Sequence, residues 1–249
     1  MCLIVLGWRA HANFPLLVAA NRDEFYARPT AFAARWPASP RIIGGRALEA
    51  GGTWLGITDS GRFAAVTNVR EPGMSKGRRS RGDLTRDFLL SEISAEDYVS
   101  GLEMSDFSGF NLFVSDGQAL YYCSNRHALP ERLSPGIYGL SNHLLDTPWP
   151  KLVKARDAFA DALGALPDET ALFSLLANRE QVEDARLPKT GVPLEWERLL
   201  SAIFVQSENY GTRASTVVKI RADGSASLHE RSFGPQGSEL QSSVISTAV

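Results

Sequence analysis

A thiol stands at position 2, directly behind Met1, and residues 19–25 read AANRDEF. As a packing residue Cys2 needs no special account, because free cysteine is among the most buried residue types. Removal of Met1 gives it a different chemistry, with a thiol and a free amine on one carbon. An α-amino group titrates at roughly 7.7 to 8.0, close to working pH, so it can take the thiol proton without any histidine. The remaining parts of a hydrolytic site are present in residue type. Asn21, Arg22, Asp23 and Glu24 follow one apolar run, Asn68 and Arg70 follow another, and Asn142, His143 and Arg213 stand at further expected strand ends. In this reading Asp23 or Glu24 orients the ammonium, Arg22 favours the thiolate, and Asn68 and Asn142 donate to a tetrahedral oxyanion, with Asn21 among the catalytic candidates. Such a Cys2 is expected to titrate below the ~8.5 of a free thiol. Arg70, His143 and Arg213 are the candidates for binding substrate, since a guanidinium fork matches carboxylate or phosphate oxygens. Each residue alone has a plainer reading, as a turn former or a surface ion pair. Convergence on one edge is what would make them a site.

Hairpins are the elements that would bring them together. LIVLGW (3–8) and PLLVAAN (15–21) read as two strands around the loop RAHANF, which places Cys2 at the open end of a buried sheet. TWLGIT (53–58) and RFAAVTNVR (62–70) form a second hairpin, and EPGMSKGRRSRG (71–82) reads as a basic, Gly-rich surface loop. Strands are expected over 110–115, 118–125, 136–142, 213–220 and 225–233. Helices are expected over 83–94, from Ser94 through SAEDYVSGL, and over 148–166, 168–177 and 193–204. About eight or nine strands in hairpins, with roughly four helices grouped in the middle and second half, argue α+β rather than alternating βαβ units. No internal repeat or low-complexity linker interrupts the chain, so residues 1–249 are expected to form a single domain.

Composition removes other classes of function. A net charge of -2 with 22% charged residues leaves no electrostatic footprint for nucleic acid and no polybasic membrane patch. Cys2 and Cys123 are the two cysteines, too few for a disulfide framework or a zinc ribbon, and no metal site is expected. The first residues lack the charged and apolar regions of a secretory signal, and no apolar run approaches the ~20 residues that span a bilayer, so a cytoplasmic protein is expected. HExxH, CxxC, the P-loop and GxGxxG are all absent. GLSNH (139–143) departs from the GxSxG elbow at His143.

The string AANRDEF behind MCLIVLGW resembles the NRDE family, also called the TANGO2 or transport and Golgi organization 2 family. The resemblance continues through RPT (28–30), GGTWLGI (51–57), AAVTNVREP (64–72), RGDL (81–84), GFNLFV (109–114), GLSNHLLDTPWPK (139–151) and YGTRASTVV (210–218). It implies a four-layer αββα sandwich similar to the N-terminal nucleophile hydrolases, with two antiparallel sheets between helical layers. Cys2 then matches the nucleophile of the choloylglycine hydrolase and penicillin V acylase group, and Asn68, Asn142 and Arg213 match its oxyanion and late-strand arginine positions. Those acylases carry R-x-x-D after the second strand, whereas here Asn21 and Glu24 hold that spacing and Arg22 and Asp23 lie between. The resemblance leaves two functions open. One is a cysteine amidohydrolase-like enzyme acting on a small amide or thioester with an anionic group. The other is a binding and transfer protein, without turnover, for haem or an acyl-CoA or lipid ligand; no cofactor is required, and haem would be a ligand. A haem ligand needs an axial residue, and His11, His127, His143 and His229 are the histidines available, beside Cys2.

Overall fold

The computed structural model describes residues 2–74, 77–127 and 129–247, so Met1, on whose removal the nucleophile reading depends, lies outside the described residues. Among the described residues thirteen strands are seen: β1 Cys2–His11, β2 Phe14–Phe25, β3 Thr30–Trp36, β4 Ser39–Ala47, β5 Leu55–Thr58, β6 Phe63–Asn68, β7 Phe110–Ser115, β8 Leu120–Ser124, β9 Glu131–Arg132, β10 Gly136–Leu140, β11 Tyr210–Ile220, β12 Ala226–Phe233 and β13 Glu239–Ser246. The α-helices are α1 Arg81–Leu90, α2 Ala95–Ser100, α3 Pro150–Ala162, α4 Thr170–Leu176 and α5 Leu194–Leu199. The strands form a six-stranded sheet in the order β10-β1-β2-β11-β12-β13 and a seven-stranded sheet in the order β3 to β9, with antiparallel pairing throughout.

Alternation along β1 and β2 builds the layers. Ile4, Leu6, Val18 and Ala20 face the second sheet and pack with Ile43, Leu55, Phe63, Phe113 and Tyr122. Leu3, Val5, Leu17 and Ala19, one residue out of step, face outward and are covered by Leu152, Ala155 and Phe159 of α3 and Leu172 and Leu176 of α4. On the far side, Leu84, Phe88 and Leu89 of α1 and Ala95 and Val99 of α2 cover Ala64, Val66, Leu112 and Val114 of the second sheet. The result is an αββα sandwich, as expected. Among the described residues no helix is long and apolar enough to cross a membrane.

Several local expectations are corrected. The first hairpin is longer and tighter, because β1 continues to His11 and β2 starts at Phe14, leaving almost none of RAHANF as loop. Strands β3, β4 and β13 were not expected. In β3 and β13 isolated apolar residues such as Phe32, Leu240 and Val244 stand exposed among polar and small ones, so neither shows the apolar run of a buried strand. Helix α1 starts earlier than expected, at Arg81, capped by Ser80, whose side chain accepts from Gly82 N.

Candidate active site

Antiparallel pairing dictates where the site lies. The start of β1, the end of β2, the end of β10 and the start of β11 meet at one edge, with Cys2 opposite Arg22, Ile4 opposite Leu140 and Tyr210 opposite Phe25. Beyond β10, Ser141 Oγ donates to the Cys2 carbonyl at 3.2 Å, and the Asn142 carbonyl accepts from Arg70 N at 2.8 Å. The end of β6 is therefore drawn to the same edge.

The strand period then divides the NRDE string between two faces. Cys2, Arg22 and Glu24 share the phase of Ile4 and Ala20 and belong to the face between the sheets. Asn21 and Asp23 belong to the helix side. Asn21 is fully buried there: Nδ2 donates to Leu176 O at 2.8 Å and Ile203 O at 2.9 Å, and Oδ1 accepts from Ser215 Oγ at 2.6 Å. The structure thus turns Asn21 away from the thiol and makes it the tie between β2, α4 and β11. Asp23, also buried, accepts from Thr212 Oγ1 at 2.7 Å. Burial pushes its carboxyl up, against the pull of the chain's positive amino terminus, Lys151, the Thr212 bond and Arg70.

Cys2 is 8% exposed. Burial pushes its thiol above the ordinary value, opposed by the amino-terminal charge and by Arg22. This differs from the expected low value because the cost of burying a thiolate outweighs those two charges. The Glu24 carboxyl is pushed up by burial and yet held below its ordinary value by the amino terminus, by the Phe25 amide at 3.0 Å and by Arg28 at 2.6 Å.

Asn68 and Asn142 are brought together as one unit. Asn142 Nδ2 donates to Asn68 Oδ1 at 2.9 Å and Asn68 O at 3.2 Å, which engages both its hydrogens. Asn68 Nδ2 donates to Val69 O at 3.2 Å and keeps a second hydrogen. The three expected substrate-binding residues each have partners within the chain. Arg70 Nη1 donates to Glu197 Oε2 at 3.0 Å in a buried ion pair and lies over the Trp149 ring. Arg213, at a bulge in β11, uses Nη1 on the carbonyls of Phe25 and Arg28 and so pins the turn between β2 and β3. His143 Nδ1 pairs with Thr147 Oγ1 at 2.9 Å and its ring faces Trp149. His11, His127 and His229 each have a local partner as well.

Sequence reasoning missed Lys151. It is 4% exposed, donates to Leu200 O at 2.8 Å, and its charge acts on Asp23. Burial pulls its amine down to about 8, partly offset by the Asp23 charge. The signal was available, since Lys151 lies on the stripe Leu152, Ala155, Phe159, Ala162 that α3 buries. A cavity of about 230 Å³ reaches Lys151 from the helix side, and a groove of about 400 Å³ lined by Met74, Met104 and Phe107 shares no residue with the Cys2 cluster.

The family model for Transport and Golgi organisation 2 matches residues 1–235. The chain belongs to that family. It is 37% identical over 241 residues to the Transport and Golgi organization protein 2 homolog of Homo sapiens, covering 88% of this chain and 87% of the relative, and 36% identical to that of Bos taurus over the same shares. The Drosophila melanogaster protein is 30% identical over 85% of this chain and 83% of its own. Among solved structures, the chain is similar to the Caenorhabditis elegans N-acylethanolamine-hydrolyzing acid amidase ortholog, with a TM-score of 0.52 at 15% identity over 87% and 92% of the two chains. It is also similar to the C2A mutant of conjugated bile acid hydrolase from Clostridium perfringens, with a TM-score of 0.56 at 8% identity over 98% and 92%. At such identities these likenesses speak for the fold, that of the N-terminal nucleophile hydrolases.

Proposed function

We propose that this member of the family is an N-terminal cysteine hydrolase acting on a small amide or thioester. The observation that carries the reading is Cys2 at the open end of β1, opposite Arg22 and beside the buried Asp23. Loss of Met1 puts the amine on the thiol's own carbon. The amine takes the thiol proton, Sγ attacks the substrate carbonyl, and the remaining Asn68 Nδ2–H meets the oxyanion while Asn142 holds Asn68 in place. The ammonium, held by Asp23, returns the proton to the leaving amine or thiol. Water, activated by the same amine, then hydrolyses the acyl-cysteine thioester and restores the thiol.

The test is a panel of small amides and thioesters offered to three chains, the wild type, Cys2→Ala and a form whose N-terminal extension blocks Met1 removal, each checked by intact mass. The expected result is turnover by protein lacking methionine, a loss of roughly a thousandfold or more in Cys2→Ala, and no turnover in the extended form. Full activity in the extended form would exclude the mechanism. Ligand binding that persists in Cys2→Ala with no turnover in any form would mark a carrier of haem or an acyl ligand instead.

A further inference from the structure

Three side chains at the far edge of the six-stranded sheet stand in a hydrogen-bonded row that the Cys2 chemistry does not use. His229 Nδ1 lies 2.7 Å from Glu169 Oε2, and His229 Nε2 lies 3.1 Å from Ser242 Oγ. The partners set the direction of each bond. An ionised carboxylate only accepts, so Nδ1 carries the hydrogen; in the neutral ring Nε2 is then an acceptor and the Ser242 hydroxyl donates to it. The row therefore reads nucleophile, base, orienting carboxylate.

Strand register builds it. Arg231 of β12 stands opposite Ser242 of β13 and His229 opposite Val244, so His229 and Ser242 are diagonal neighbours. Leu228 and Ile245 pack between the sheets, which puts His229, Arg231, Ser242 and Val244 on the other face. There Phe173 of α4 meets the His229 ring edge-on at 4.5 Å between centroids, and the Arg231 guanidinium lies over the same Phe173 ring at 4.1 Å. Lys219 Nζ holds Glu169 from its other oxygen, Oε1, at 2.5 Å. Arg231 has no carboxylate partner among the described residues and stands across from the serine. Ser242 itself is exposed, between the exposed side chains of Leu240 and Val244.

The row is remote from Cys2. Cys2, Arg22, Ala214, Ser232 and Gln241 pair in succession across the sheet, and four strand spacings put Ser242 roughly 19 Å from Cys2, on the opposite face. Ser242 also lies beyond residues 1–235 that the family model matches.

We infer that Ser242, His229 and Glu169 form a second nucleophilic site, a serine esterase for a small carboxylic ester with an apolar acyl group. Ser242 Oγ attacks the ester carbonyl as its proton passes to His229 Nε2, and the Arg231 guanidinium faces the oxyanion. Collapse breaks the bond to the alcohol, which leaves with the proton from Nε2. Water, deprotonated by the same nitrogen, then cleaves the acyl-serine, and the proton returns to Oγ. Leu240 and Val244 supply the apolar contact for the acyl group.

A fluorophosphonate probe, mapped by peptide mass spectrometry on the wild type, tests the nucleophile. Ser246 is the internal control, being exposed on the same strand and face without a histidine bond. Ser242 is expected to be phosphonylated at least a hundredfold faster than Ser246, and His229→Gln should remove that advantage. Hydrolysis of p-nitrophenyl butyrate is measured in Cys2→Ala, which lacks the other nucleophile. Adding Ser242→Ala should lower it a hundredfold or more, and adding Arg231→Gln roughly tenfold or more, with Arg231→Lys retaining part. Equal labelling of Ser242 and Ser246, or ester hydrolysis unchanged by Ser242→Ala, would overturn the site. If His229→Gln does not fold, the exposed Ser242→Ala change carries the test. Each arm is read at Ser242 or without the Cys2 thiol, so this site and the Cys2 hydrolase fail separately.

Discussion

On the helix-side face of β2, Asn21 and Asp23 are bonded to α4, to the segment after α5 and to β11, whereas one residue along, on the face between the sheets, the Arg22 guanidinium meets nothing described closer than 3.5 Å. The same contrast holds for their neighbours. Arg70 and Glu197 close an internal ion pair, with Thr190 N and Oγ1 donating to the second carboxylate oxygen at 2.7 and 2.6 Å. Cys2 and Arg22 instead share the face between the sheets. A polar motif on a strand thus splits by parity into a half that holds the fold and a half left available to a ligand. Asn21 ties the fold together on the helix side, whereas the Cys2 thiol and Arg22 share the opposite face.

The largest effect should come from the helix side. Replacing Asn21 by Leu leaves two buried carbonyls and the Ser215 hydroxyl without their partner, at about 1 to 3 kcal/mol each. Urea unfolding should show a loss of several kcal/mol, with the rate of Cys2 alkylation by iodoacetamide in the folded fraction unchanged. A stable Asn21→Leu protein with altered Cys2 reactivity would break the division of faces.

The buried ion pair offers a sharper version. Arg70→Met and Glu197→Leu should each cost about 3 to 5 kcal/mol, because each strands a buried charge, and the double variant should cost much less than both together. Additive losses in the unfolding cycle would mean that the two groups act separately.

Lys151 gives a smaller, pH-dependent effect. The folded chain holds its proton only below about 8, while the unfolded chain holds it to 10.5. Between those values the unfolded state binds more protons, so stability from this group rises with pH. The stability of the wild type relative to Lys151→Met should therefore increase from pH 7 to pH 11, by up to roughly 3 kcal/mol. A difference that stays flat would place the amine in contact with solvent.

Much of this was legible in the sequence. Apolar runs such as LIVLGW and FNLFVS gave away their hairpins, and the position of Cys2 at a strand's open end followed from them. The division of NRDE between faces was implicit in the period of two, yet it became readable only with the register that sets Arg22 opposite Cys2. The partners of Arg70 and Arg213 were not legible, because nothing local shows that Glu197 and the carbonyls of residues 25 and 28 would meet them across long stretches of chain.

The central claim, that Cys2 is the nucleophile and its own amine the base, is tested most directly by trapping the acyl-enzyme. The chain is exposed briefly to a p-nitrophenyl ester, quenched in acid and mapped by peptide mass spectrometry. The account predicts an acyl group in thioester linkage on Cys2 of chains that have lost Met1, and none on Cys2 of chains that retain it. Acylation of Cys2 to the same extent with Met1 in place, or acyl groups on other side chains while Cys2 stays unmodified, would contradict it.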